Sequence, residues 1–207
     1  MIYLYLLEKL ETMYYNTLYL MSTLSDYSSP KSKLTNMVKS DEIVRIRRGL
    51  YVKEGRYDKK VLANMIYGPS YISFEYALSW YGMIPERVEV VTSAVFNKNK
   101  NKEYETPLGR FGYYYITPSV YPYGIIREEI DKEPFLIATK EKALCDTLCK
   151  IKSTGQDLDI EALLLDDLRI DETELLTLNG KDVDLIAPLY GRLLILKLSE
   201  YLKKRGI

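Results

Sequence analysis

Residues 30–53 restrict this chain more than any other stretch. Ser28-Ser29-Pro30 opens a helix predicted over Pro30–Ser40. Proline suits the first helical position, where its missing N–H is harmless. Leu34, Met37 and Val38 share one face of that helix at i, i+3, i+4. Ile43-Val44-Arg45-Ile46-Arg47-Arg48-Gly49-Leu50-Tyr51-Val52-Lys53 follows, two short β-type runs around an Arg-Gly turn. A helix with one buried face followed by a basic hairpin is the closing half of a winged helix-turn-helix. Such a unit lays a helix in a DNA groove and sets arginines beside it.

Helical phase then selects the candidate contacts. With Leu34, Met37 and Val38 turned inward, a step of ~100° per residue points Ser32, Asn36 and Lys39 outward, with Thr35 beside them. Asn36 can pair bidentately with adenine in the major groove, and Ser32, near the helix start, reaches a base or a phosphate. Lys31, Lys33 and Lys39 suit phosphates, which supply affinity without sequence information. Arg47 and Arg48 lie at the turn, where a narrow minor groove attracts them. Arg45 alternates with Val44 and Ile46 and is expected to project from its strand. The competing reading of the same residues is an unrelated three-helix domain with a basic surface hairpin.

Charge supports a local rather than a general affinity for nucleic acid. Lys+Arg and Asp+Glu each number 29, so the chain is no polycation. From Tyr27 to Lys53, however, seven basic residues face only Asp41 and Glu42, a net of +5, and from Asp157 to Asp184 the net is −8. Attraction to phosphate decays over about one Debye length, ~8 Å at physiological salt, so the local value is the relevant one. The acidic stretch reads as a solvated face.

Several function classes are disfavoured. With no histidine there is no Ser-His or Cys-His pair and no imidazole metal ligand. No Walker-type phosphate loop, GxGxxG fingerprint or Glu-x-Lys nuclease signature occurs. Asp157, Asp159, Asp166 and Asp167 are the remaining acidic pairs that a divalent ion would use, and exposed turns commonly carry such pairs. The expectation is therefore a non-enzyme with no catalytic residues, no metal and no cofactor. Cys145 and Cys149 are four apart on one helix face, a poor geometry for a disulfide, and read as core thiols in a reducing compartment. Residues Met1–Leu7 are apolar but stop at Glu8-Lys9, without the marks of a signal peptide. No apolar run approaches the ~18 residues of a membrane span. A cytoplasmic protein without membrane contact is expected.

The chain divides into two predicted domains, 1–56 and 57–207. The first holds helices over Ile2–Met13, Thr17–Leu24 and Pro30–Ser40 and then the hairpin. The second is α+β, with a small, mainly antiparallel sheet and flanking helices. Its helices are predicted over Asp58–Tyr67, Phe74–Tyr81 (capped by Ser73) and Lys140–Ile151 (capped by Thr139). Three or more strands are predicted, among them Val88–Phe96, Gly109–Thr117 and Phe135–Ala138, with Asn97–Lys102 as a polar hairpin tip. Two short helices at most fill the acidic stretch, and a final helix over Asp184–Lys204 is interrupted or begun near Pro188.

Three segments together resemble one family. They are Arg47-Arg48-Gly49-Leu50-Tyr51-Val52, the run Tyr71-Ile72-Ser73-Phe74-Glu75-Tyr76-Ala77-Leu78 continuing to Tyr81-Gly82-Met83-Ile84-Pro85-Glu86, and Ile137-Ala138-Thr139-Lys140-Glu141-Lys142-Ala143-Leu144-Cys145-Asp146. In this order they resemble the AbiEi-type antitoxins of abortive-infection toxin–antitoxin systems. The resemblance implies a winged helix-turn-helix that represses its own promoter by binding inverted repeats in double-stranded DNA. It also implies a C-terminal domain that opposes a co-encoded nucleotidyltransferase-type toxin without a stable complex. Inverted repeats require two protomers on one site, and dimerisation on DNA or in solution stays open. Physically, the second and third segments read as scaffolding. Ala143, Leu144 and Leu148 face inward, Glu141 or Lys142 forms a surface pair, and Ser73 caps a helix. The alternative is a winged-helix regulator controlled by a small molecule in an aromatic pocket of the C-terminal domain, with Trp80, Tyr81 and Tyr113–Tyr115 as candidates.

Overall fold

A computed structural model describes residues 14–53, 55, 57–97, 100–152 and 159–207. The helix expected over Ile2–Met13 lies outside the described residues. The described chain is α+β, with two sheets and no helix long and apolar enough to cross a membrane.

The smaller sheet has three antiparallel strands in the order β1-β3-β2: β1 (Tyr14–Asn16), β2 (Ile43–Arg47) and β3 (Leu50–Lys53). Between β1 and β2 run two helices. The first, α1 (Thr17–Thr23), is capped by Asn16, whose side chain accepts from the Tyr19 N–H. The second, α2 (Pro30–Lys39), has Pro30 at its first position, as its sequence predicts. Leu20, Leu24, Leu34, Met37, Ile43, Tyr15 and Tyr51 form a compact core between these helices and one face of the sheet. Val38 only partly joins it.

The other face of the hairpin is also covered. Ile46, Leu50 and Val52 are buried in the core of the larger unit. A register shift between Arg45 and Arg47 lets Ile46 reach it, as a β-bulge re-aims side chains. Tyr14 adds a polar tie, its hydroxyl accepting from the Asp58 N–H at 3.1 Å. The hairpin is thus clamped between two cores.

The larger sheet is mixed, in the order β6-β7-β5-β4-β9-β8. Its strands are β4 (Ser70–Ile72), β5 (Val91–Val95), β6 (Lys102–Thr106), β7 (Gly109–Tyr115), β8 (Ile125–Ile130) and β9 (Glu133–Ala138). Pairs β5/β7 and β4/β9 are parallel and the rest antiparallel. Helices α3 (Lys59–Ile66), α4 (Phe74–Trp80) and α5 (Lys140–Lys150) pack on it, followed by α6 (Ile160–Ala162), a π-helical turn (Leu163–Asp167), α7 (Glu172–Leu175), α8 (Gly180–Tyr190) and α9 (Leu193–Arg205).

Several expectations need correction here. The sheet is larger than predicted, because β4, β6 and β8 carry little alternation: β4 is three residues, all buried, and β6 and β8 are charged edge strands. No hairpin joins β5 to β7, and residues 98 and 99 of the expected Asn97–Lys102 tip lie outside the described residues. β5 and β7 are parallel, and the segment leads to edge strand β6, which begins at Lys102 and turns back through Pro107-Leu108 into β7. The helical run is interrupted near Pro188, as expected, but not by the proline itself: α8 runs through it to Tyr190. The break falls at Gly191, whose left-handed φ of 60° ends α8 where a residue with a Cβ would be strained.

The acidic stretch is not simply solvated. Arg205 binds Glu172 at 2.8 Å and also Glu161, while Lys203 binds Asp184 at 3.0 Å. The basic C-terminus of α9 therefore neutralises part of it.

Candidate nucleic-acid interface

The α2 helix presents its polar face because its apolar one is committed to the small core. Lys31, Ser32, Thr35, Asn36 and Lys39 are exposed, as phase requires, and so are Arg45, Arg47 and Arg48 on the hairpin. Thr35, Lys39 and Arg45 are brought together with Leu34, Val38 and Tyr51 around one groove of about 310 Å³ between helix and strand. Three of the candidates on or beside α2 have local engagements. The Ser32 hydroxyl lies 2.8 Å from that of Ser29, and Thr35 donates to the Lys31 carbonyl at 2.9 Å. Lys33 is half-buried, its ammonium 5.6 Å from the Tyr27 ring centroid.

The hairpin arginines differ from one another. Arg47 donates to the Arg48 carbonyl at 3.2 Å and lies near Tyr113 of the large sheet. Burial pushes the Tyr113 phenol well up, the neighbouring Tyr104 adds to the rise, and the Arg47 charge opposes it. Gly49, at φ 88°, makes the turn that sets Arg48 at the tip.

The two motif segments of the large unit meet in its interior. Lys142 and Asp146 are both fully buried, with the ammonium 3.1 Å from one carboxylate oxygen. Lys142 also donates to the Val120 carbonyl at 3.0 Å and the Tyr190 hydroxyl at 2.8 Å. Asp146 accepts from Tyr190 on that same oxygen, and on the other from Tyr71 at 2.9 Å and Ser73 at 2.7 Å. Burial and the adjoining Asp146 charge hold the Tyr71 and Tyr190 phenols far above their ordinary range. Gly124 packs so close that a Cβ there would meet that of Lys142 at 2.7 Å.

This overturns three sequence expectations. Lys142 is no surface residue. Glu141 is buried as well and accepts from the Asn179 N–H at 2.9 Å. Ser73 occupies the cap position of α4, but its hydroxyl is taken by Asp146. Thr92 of β5 caps the helix instead, its hydroxyl accepting from the Tyr76 N–H at 3.2 Å and donating to the Ser73 carbonyl at 2.7 Å. The aromatic candidates also separate. Trp80 packs on Phe135, Tyr81 donates to the Ala138 carbonyl and Tyr113 to the Ala63 carbonyl, leaving Tyr114 and Tyr115 to line a cleft.

Among the described residues no group of three or more His, Cys, Asp or Glu side chains could hold a metal ion. Asp159 caps α6, Asp166 and Asp167 are exposed, and Asp157 lies outside the described residues. Cys145 is buried and Cys149 half-buried, both as thiols; desolvation raises both, while Arg192 beside Cys149 partly opposes the rise there. Compared with known proteins, the chain matches no family model and no curated protein.

Proposed function

We propose that this chain is a DNA-binding autorepressor with a winged helix-turn-helix at its N-terminus and that it acts as an antitoxin. The observation that carries the DNA reading is the exposed polar row of α2 beside a basic hairpin, with Thr35, Lys39 and Arg45 around one groove. The strand order β1-β3-β2 with two helices between β1 and β2 supports a wing made of β2 and β3. Asn36 and Ser32 then face base edges, Lys31 and Lys39 the phosphates on either side, and Arg48 leads the wing toward the minor groove. Lys33, half over Tyr27, takes a peripheral place.

The antitoxin part rests on the resemblance of the three motif segments to AbiEi-type antitoxins. Two of those segments meet in the Lys142–Asp146–Tyr71–Ser73 network, which gives their residue types a scaffolding role. Expression of the chain in trans should repress a reporter fused to its own upstream DNA. It should also relieve the growth arrest caused by a neighbouring nucleotidyltransferase-like gene. Undiminished reporter output would remove the autorepressor half, and persistent arrest the antitoxin half.

A further inference from the structure

A cleft of about 340 Å³ opens where the carboxyl end of β7 meets the last turn of α5 and the α8–α9 junction. In sheets with parallel strands, ligands bind in crevices beyond the carboxyl ends of those strands, and β7 runs parallel to β5. The volume lies within the usual range of small-molecule sites, roughly 300–1,000 Å³. One wall is Phe74 and Tyr114. Phe74 is held at φ 59°, a backbone region costly for a bulky side chain.

The acceptors of the cleft are already matched, while several of its donors are not. Asp146 borders it but already receives Lys142, Tyr190, Tyr71 and Ser73, so it calls for no cation. Lys150 is held by Glu75 at 2.8 and 3.0 Å, its charge lying over the Tyr114 and Phe74 rings. The lining groups with hydrogen-bonding capacity to spare among the described residues include three donors besides the Tyr114 and Tyr115 hydroxyls. Asn101 accepts from the Tyr115 N–H at 3.0 Å through its amide oxygen, which turns its NH2 group away with no partner among the described residues. The Thr117 hydroxyl likewise has none among them. The Arg192 guanidinium is paired with the Cys149 thiol and forms no salt bridge among the described residues. A cleft whose spare groups are donors, with a guanidinium among them, is complementary to an oxyanion.

We propose that this cleft is a phosphate site, taking inorganic phosphate or the phosphate of a small phosphomonoester on Arg192, Asn101 and Thr117. The three donors come from three separate segments. Donors placed around one cleft by separate segments suit a tetrahedral oxyanion better than the two in-plane oxygens of a carboxylate. The site shares no residue with the DNA contacts above and does not depend on that reading.

The test is calorimetric titration of the full chain with inorganic phosphate, adenosine 5′-monophosphate and acetate. Saturable binding of phosphate or the nucleotide, with acetate much weaker, is expected. Tighter nucleotide binding identifies a phosphomonoester as the natural source, and equal binding identifies free phosphate. Arg192→Ala should weaken the interaction about tenfold or more, the scale of a lost charge-assisted hydrogen bond. Thr117→Val should weaken it less, with thermal unfolding and DNA binding unchanged in both variants. No saturation by either phosphate, acetate binding as well as phosphate, or Arg192→Ala binding like wild type would each overturn the proposal.

Discussion

Lys142 and Asp146, one turn apart on α5, close an ion pair of 3.1 Å with both side chains at zero exposure. Their hydrogen bonds reach Tyr71 of β4, Ser73 before α4, the Val120 loop and Tyr190 of α8. One buried pair therefore fastens the sheet to the C-terminal helices. Lys142 donates two hydrogen bonds and Asp146 accepts three besides their own ion pair, in a region where an unpaired charge would be severely penalised.

Removing one partner strands the other. Lys142→Met should destabilise the fold by about 3–5 kcal/mol in urea denaturation, since it leaves the Asp146 carboxylate buried without its cation. The double variant Lys142→Met, Asp146→Leu should recover part of that loss. A single variant within about 1 kcal/mol of wild type would show that the pair is not what holds the α5 layer in place.

Alkali should reveal the buried phenols. Tyr81 and Tyr121 are pushed up to about 12, chiefly by burial, and Tyr71, Tyr113 and Tyr190 are raised well above their ordinary value for the same first cause. Because the folded values exceed the unfolded value of 10.0, the folded state keeps its protons longer. Their stabilisation is complete below pH 10 and is lost as pH rises through 12. Tyrosinate absorbance from these buried phenols should therefore rise late and together with loss of circular dichroism. A single early stage, complete while the fold persists, would contradict the burial described.

The wing arginines should act through charge. Arg47→Ala with Arg48→Ala should weaken DNA binding at all sequences and lower the dependence of log K on log salt by about 1 for each phosphate no longer neutralised. Of the two single variants, Arg48→Ala should have the larger effect, because Arg47 is partly engaged with the Arg48 carbonyl and the Tyr113 side. Titrations at several salt concentrations read both quantities. An unchanged slope would take the wing out of the interface.

Asn36 should act through sequence. Asn36→Ala should cost about 1–3 kcal/mol on the cognate duplex and little on random DNA, if the amide reads adenine bidentately. Competition binding with the two duplexes separates these. Equal losses on both would assign Asn36 to the backbone instead.

Local signals made the first unit legible: Pro30 at a helix start, Leu34 and Met37 on one face, and a glycine between two β-type runs. The second unit was legible where capping and periodicity are strong, as at Thr139 and α5. Edge strands β6 and β8 were not, since their charged residues resemble loops and only pairing with β7 and β9 makes them strands. The burial of Lys142 depends on α8 and the Val120–Gly124 loop, distant in sequence. The i, i+4 spacing of Lys142 and Asp146 among Ala143, Leu144, Cys145 and Leu148 was the available clue. A helix apolar on most sides leaves an ion pair no exposed face.

The most direct measurement is binding of the purified chain to the DNA upstream of its own gene and to a scrambled duplex, at low and high salt. Tight binding to the upstream DNA, weakened by salt and much weaker on the scrambled duplex, is the predicted result. Equal affinity for the two duplexes, or none for either, would contradict the autorepressor account.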